Sequence, residues 1–193
     1  MENKFKKDRF EYFFDAILAI LITILILEFK VPHIEGAGTE ELKGVLLSYV
    51  PELCSYIISF LTIVALWIDH HRLISRLPYI DKNFILVNFL FVLFLSPLSF
   101  TTSFAGEYIH NSFAIAVLAA NFFLMNVGFS LVFGYTIRKK MLVVDMNNKE
   151  DRRASRISIA VMFLLLAAIP LAFVHPALSF GIFILSVTAH LLK

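Results

Sequence analysis

Six long apolar segments divide this chain, and most of its charged residues lie between them. A helix that crosses the hydrocarbon core of a bilayer needs about 20 mostly apolar residues, with about 17 as the lower limit. Segments of this kind are predicted at residues 9–29, 45–68, 84–104, 112–137, 157–174 and 176–192. The sequence therefore predicts an all-α integral membrane protein with six transmembrane helices in a single domain, residues 1–193.

The composition supports the membrane class. The chain is 59% hydrophobic and 17% charged, whereas soluble domains have about 45–50% apolar and about 25% charged residues. Its one cysteine, Cys54, lies inside an apolar run. A lone cysteine excludes an intrachain disulfide framework and leaves the redox compartment undetermined.

The boundary between the last two segments depends on one dipeptide. Residues 157–192 contain no Asp, Glu, Lys or Arg. The His175-Pro176 pair divides this stretch, because proline ends or restarts a helix. Without that division the chain would have five spans, and its C-terminus would lie on the other side of the membrane.

The distribution of basic residues predicts the orientation. With six spans and the N-terminus inside, all but two of the 17 Lys and Arg residues are cytoplasmic, the exceptions being Lys30 and Lys43. The positive-inside rule then places both termini in the cytoplasm.

The outer segments carry acidic residues, which either raise the local cation concentration or are ordinary solvated loop charges. The inner loop, 138–156, contains the runs RKK and DRRASR, and such basic clusters can bind anionic lipid headgroups.

The first apolar segment has a distinctive aliphatic face. Ile20, Ile24 and Leu27 are spaced at i, i+4 and i+7, and therefore share one side of a helix. Thr23 lies next to this stripe. A helix with such a stripe can line a pore, or it can be an ordinary packed helix.

The same segment opens with charges that need partners. At about 100° per residue, Asp15 lies almost opposite Ile24, so it faces neighbouring helices if the stripe faces a central axis. An unpaired charge in a membrane is costly. Because Arg9 lies six residues away, it does not pair with Asp15 in the simple i, i+4 manner. We expect a structural polar network at the cytoplasmic end, formed by Arg9, Asp15, Trp67, His70, His71 and Asn88.

Several chemical classes are disfavoured. Asp69, His70 and His71 are potential metal ligands, but adjacent histidines point in different directions on a helix, and packing between helices is the favoured interpretation. The sequence has no HExxH, CxxC, GxSxG, P-loop or GxGxxG motif. It also lacks a TVGYG potassium filter. We expect no enzymatic activity, no metal centre, no bound cofactor and no nucleic-acid partner.

An ordered set of motifs resembles the transmembrane protein 175 family. Arg9-x-x-x-Phe13-x-Asp15 is similar to the family signature Arg-x-x-x-Phe-Ser-Asp, with Phe14 in place of the serine. Trp67-x-x-x-His71 at the end of span two, Asn88 in span three and the stretch 95–108 also resemble the family, and the likeness runs through all six spans.

The resemblance implies a potassium-preferring cation channel without a conventional filter. Bacterial members have six spans and assemble as homotetramers around span one. The resemblance implies that Ile20 forms the narrowest ring, that Ile24 and Leu27 lie above it, and that the Thr23 hydroxyl faces permeating potassium ions. It further implies a multi-pass location in the bacterial inner membrane. The alternative is a proton- or cation-coupled secondary transporter that uses Asp15 or a histidine as a relay.

Overall fold

The fold consists of helices throughout the part of the chain that can be described. A computed structural model describes residues 6–36, 38–142 and 149–192. They form eight α-helices and one 3₁₀ turn, Leu25–Glu28, which continues the first helix. The helices are α1 (Lys7–Ile24), α2 (Thr39–Ser48), α3 (Val50–Ser75), α4 (Lys82–Leu95), α5 (Leu98–Glu107), α6 (Ser112–Arg138), α7 (Lys149–Val174) and α8 (Pro176–Leu191). The predicted all-α class is confirmed.

Five segments are long and apolar enough to cross a membrane, by length and composition. Within the described ranges they are Lys7–Glu28, Val50–Ser75, Lys82–Glu107, Ser112–Arg138 and Asp151–Val174. Helix α8 begins at Pro176, as the sequence predicts, and the imidazole Nδ1 of His175 accepts a hydrogen bond from the Ala177 N–H there. With 16 residues, α8 is shorter than the other five.

The third predicted span is not one continuous helix. The predicted segment 84–104 lies within Lys82–Glu107, which is long and apolar enough to cross a membrane, and the helix divides there into α4 and α5 at Ser96 and Pro97. Proline has no N–H to donate, and its ring clashes with the preceding turn, so a helix interior rarely continues through it. The α5 helix restarts when Thr101 donates its N–H to the Pro97 carbonyl, 2.9 Å away.

The second predicted span has different boundaries. Residues 45–68 were predicted to form it, whereas the long helix begins at Val50 and extends to Ser75. Pro51 lies in the first turn of α3, where its missing N–H costs nothing and its fixed φ favours helix initiation. Asp69, His70 and His71, which follow Ile68 in this helix, each contact a side chain of another helix.

Phenylalanine side chains fill much of the core. Phe14, Phe84, Phe91, Phe122 and Phe183 are all less than 2% exposed. Phe122 of α6 packs edge-on against Phe183 of α8, with ring centroids 5.0 Å apart. Helix α6 is the central element, since 61% of its apolar stretch is buried, whereas only 22% of the α1 stretch is buried. One side of α1 is therefore uncovered in a single chain.

A close approach of α5 to α3 leads to a stability prediction. A Cβ atom on Gly106 would lie 2.7 Å from the Cα of Glu52, so the backbone itself must move to accept it. We expect Gly106→Ala to lower the free energy of unfolding by about 1–3 kcal/mol through overpacking. The control is Gly134→Ala in α6, where nothing lies within 4 Å of the new methyl group. Melting temperatures in detergent compare the two variants, and equal values would contradict the prediction.

Candidate functional site

Helix α1 has one buried face and one uncovered aliphatic face. Phe10, Phe14 and Leu18 are buried against the rest of the chain. Ile20 is 57% exposed and Ile24 is 36% exposed, although both are large aliphatic residues in a segment long and apolar enough to cross a membrane. At about 100° per residue, these two side chains lie roughly 100° from the buried face. In a single chain nothing covers these two side chains, so they can contact another protein chain or a lipid, or they can line a central pore.

The C-terminal end of this helix departs from the predicted geometry. Residues 9–29 were predicted to form one helix in which Leu27 follows the α-helical spacing, but the α-helix ends at Ile24 and a 3₁₀ turn follows. With 3.0 residues per turn beyond Leu25, Leu27 still returns to within about 20° of Ile24. Leu27 is 73% exposed. The tighter turn thus keeps Leu27 on the same side as the two isoleucines.

Thr23 lies on the exposed side beside the stripe. Its hydroxyl donates to the carbonyl oxygens of Ala19 and Ile20, at 3.1 and 2.9 Å. A hydroxyl oxygen that donates its proton to the backbone retains lone pairs that can accept from water or contact a cation. The exposed Thr23 side chain therefore retains an acceptor oxygen.

Two polar contacts attach the N-terminal half of α1 to α3. The Trp67 indole N–H donates to a carboxylate oxygen of Asp15, 2.9 Å away. One turn nearer the N-terminus, His71 Nδ1 lies 3.1 Å from a Glu11 carboxylate oxygen. The structure thus places Asp15 and His71 beside Trp67 and adds Glu11 as the partner of His71, which the sequence reasoning missed. Glu11 could have been found as the residue one turn before Asp15 on the same helix side.

A second contact group joins α3 to α4 beneath α1. His70 Nε2 lies 2.8 Å from the Asn88 side-chain oxygen, and the Asn88 amide donates to the Phe84 carbonyl at 2.8 Å. Phe14 of α1 stacks on the His70 imidazole with ring centroids 3.6 Å apart. Phe14, which stands where the family signature has serine, therefore forms a stacking contact between α1 and α3.

Arg9 stands apart from both groups. It is exposed, and its guanidinium contacts no carboxylate in the described part of the chain. Its membership in the polar network stays a prediction.

The potential metal ligands do not converge. Asp69 contacts His190 of α8, with Oδ2 and Nδ1 2.8 Å apart, whereas His70 contacts Asn88 and His71 contacts Glu11. No group of three His, Cys, Asp or Glu side chains with metal-site spacing occurs in the described ranges. The three consecutive polar residues instead connect α3 to three different helices.

The Asp69–His190 pair is a contact that sequence reasoning missed. Both side chains are only 6% exposed, and the two residues lie 121 positions apart. Within an apolar helix an ionisable residue usually has a polar partner, so the isolated His190 was itself the available signal. Its partner could not be identified, because pairing over this distance depends on how α8 packs on α3.

Comparisons with known proteins agree with this architecture. Residues 9–98 match the family model described as endosomal/lysosomal potassium channel TMEM175. A potassium channel of Streptomyces collinus is 34% identical over 125 residues, which cover 65% of this chain and 60% of that protein. A potassium channel of Chamaesiphon minutus is 31% identical over 186 residues, which cover 93% of this chain and 91% of that protein.

The three-dimensional comparison reaches almost the whole chain. The crystal structure of a lysosomal potassium-selective channel TMEM175 homologue from Chamaesiphon minutus superposes with a TM-score of 0.81 and 29% sequence identity. The superposition covers 96% of each chain. Sequence similarity along nearly the full length and this shared fold lead to one conclusion: the chain belongs to the TMEM175 potassium channel family.

Proposed function

We propose that this chain forms a potassium-selective cation channel, a homotetramer whose pore is lined by α1. The observation that carries the proposal is the uncovered face of α1, where Ile20, Ile24 and Leu27 are 57%, 36% and 73% exposed. One copy of this helix does not enclose a pore, whereas four copies with these faces turned inward do. The relatives named as potassium channels support this assignment over a coupled transporter.

The aliphatic rings serve as a hydrophobic constriction. A narrow apolar pore excludes water, and ions with it, so that conduction requires the rings to widen and hydrate. Ile20 forms the narrowest ring in this proposal, and Ile24 and Leu27 extend the constriction toward the outer end. Thr23 supplies a hydroxyl oxygen to a permeating potassium ion next to the rings.

The polar groups at the inner end hold α1 in place and stay outside the pore. Asp15 already contacts Trp67 at 2.9 Å, on a side of α1 away from the aliphatic stripe. The buried His70–Asn88 contact fixes α3 against α4 behind it. Together these contacts position the pore helix without placing a charge at its constriction.

We further propose the topology and location of the channel. Helix α8 is the sixth span, both termini are cytoplasmic, and the protein resides in the bacterial cell membrane. The positive-inside distribution of Lys and Arg supports the orientation. The hairpin of α7 and α8, which pack extensively on each other, supports the return of the chain to the inner side.

The assembly has a direct test. Native mass spectrometry of the protein released from nanodiscs is expected to show four copies of the 22.0 kDa chain. A single chain that remains monomeric in lipid and still conducts would contradict the pore proposal, because its α1 face would then be in contact with lipid.

The activity has a separate test. The purified protein, reconstituted in a planar bilayer between potassium and sodium solutions, is expected to pass discrete unitary currents that reverse toward the potassium equilibrium potential. A channel needs no second substrate, so the currents persist without a proton gradient. Transport that occurs only with an opposing or accompanying proton flux would support the transporter instead.

A further inference from the structure

One face of α7 begins basic and continues apolar. Lys149, Arg152, Arg153 and Arg156 are spaced at i, i+3, i+4 and i+7, so all four lie on the same side of the helix. Together with Ile157 they line an open hollow at the start of the span. The channel proposal assigns no role to this face.

Three of these basic residues form no ion pair with any carboxylate in the described part of the chain. Asp151, which lies between Lys149 and Arg152 in the sequence, is held by a bidentate contact with Arg76, at 2.9 and 3.0 Å. This hydrogen bond raises the pKa of Arg76. Arg153 donates to the Leu192 carbonyl at 3.2 Å. Among the residues that the structure describes, Lys149, Arg152 and Arg156 form no ion pair.

The same face continues into the membrane as an uncovered apolar stripe. Ile159, Phe163 and Leu166 are 51%, 62% and 45% exposed. The opposite face of α7, with Val161 and Leu165, is buried against the rest of the chain. A cationic cluster at the membrane boundary is therefore directly continuous with an apolar surface that runs toward the bilayer centre.

We propose that this face binds an anionic phospholipid, with its phosphate at Lys149, Arg152 and Arg156 and an acyl chain along Ile159 and Phe163. Arginine side chains match phosphate geometry through paired N–H donors. Basic residues next to a span attract anionic headgroups. A free phosphate would satisfy the cluster but leave the stripe uncovered, and a second copy of α7 would bring like charges together. An anionic lipid satisfies both halves of the surface.

The test measures lipid binding to the purified, delipidated assembly. Dioleoyl phosphatidylglycerol and dioleoyl phosphatidylcholine are titrated separately, and bound lipid is counted by native mass spectrometry. The wild type is expected to bind phosphatidylglycerol more tightly. In Arg152→Gln/Arg156→Gln, phosphatidylglycerol affinity is expected to fall roughly 10- to 30-fold. The matched control is Arg138→Gln/Lys139→Gln, which removes two exposed charges at the end of α6 and is expected to retain wild-type affinity.

A third variant tests the apolar half and does not depend on the arginines. Phe163→Ala is expected to lower the affinity for both lipids by the same factor, since it removes acyl contact without changing charge.

Three results would overturn the proposal: equal losses of affinity in the α6 and α7 double variants, equal binding of the two lipids to wild type, or displacement of phosphatidylglycerol by equimolar inorganic phosphate. The last result would assign the cluster to free phosphate. Melting curves in phosphatidylcholine establish that each variant is folded.

Discussion

Ile20→Asn is expected to raise the unitary potassium current and to weaken the preference for potassium over sodium. Ile20 is 57% exposed on the uncovered face of α1, and four asparagines would place hydrogen-bonding amides where the proposed pore is driest. Such groups lower the cost of a continuous water column through an apolar constriction. If the ring of amides lowers the barrier by about 1.4 kcal/mol, the current rises about tenfold.

The matched control for this variant is Ile184→Asn in α8. Ile184 is 56% exposed, so the same substitution occurs at the same exposure in a helix that the proposal does not place at the pore. Planar-bilayer recordings compare the two variants with wild type. If Ile20→Asn remains tetrameric and its currents and selectivity match those of wild type, the α1 pore is wrong, and the conduction path lies elsewhere.

Asp15→Ala is expected to impair assembly and stability before it changes ion preference. Asp15 accepts the Trp67 indole N–H at 2.9 Å, and this contact attaches the proposed pore helix to α3. A hydrogen bond to a charged group contributes about 1.5–3 kcal/mol, with the lower end expected because Trp67 is 39% exposed. The melting temperature and the fraction of tetramer in size-exclusion chromatography are both expected to fall.

Two further variants separate the contact from the charge. Asp8→Ala removes an exposed carboxylate from the first turn of α1 and is expected to change assembly little. Asp15→Asn retains an oxygen that accepts from Trp67 and is expected to recover most of the loss. A fully assembled Asp15→Ala channel with altered selectivity would place Asp15 in the permeation path and contradict the structural role.

Much of this architecture could be read from residue patterns. Long apolar segments predict membrane helices because unpaired backbone groups are too costly in lipid. The division at His175-Pro176 follows from the missing N–H of proline. The spacing of Ile20 and Ile24 predicted a shared face, and the structure leaves that face uncovered. Each of these inferences depends on local chemistry, which a short stretch of sequence contains.

Other features became visible only when the helices were packed. The division of the third span into α4 and α5 at Ser96 and Pro97 is visible only in the structure. The partners of His71 and Asp69, which are Glu11 and His190, come from the two ends of the chain.

The features that the sequence predicts differ from those that only the structure shows for a physical reason. Helix formation and membrane insertion depend on properties of consecutive residues, so their signals are periodic and local. Which two side chains become partners depends on which helix faces meet, and this is determined by the packing of all the helices together. Phe14 illustrates both: its apolar character was readable from the sequence, but its stacking on His70 at 3.6 Å required α1 and α3 to be brought together.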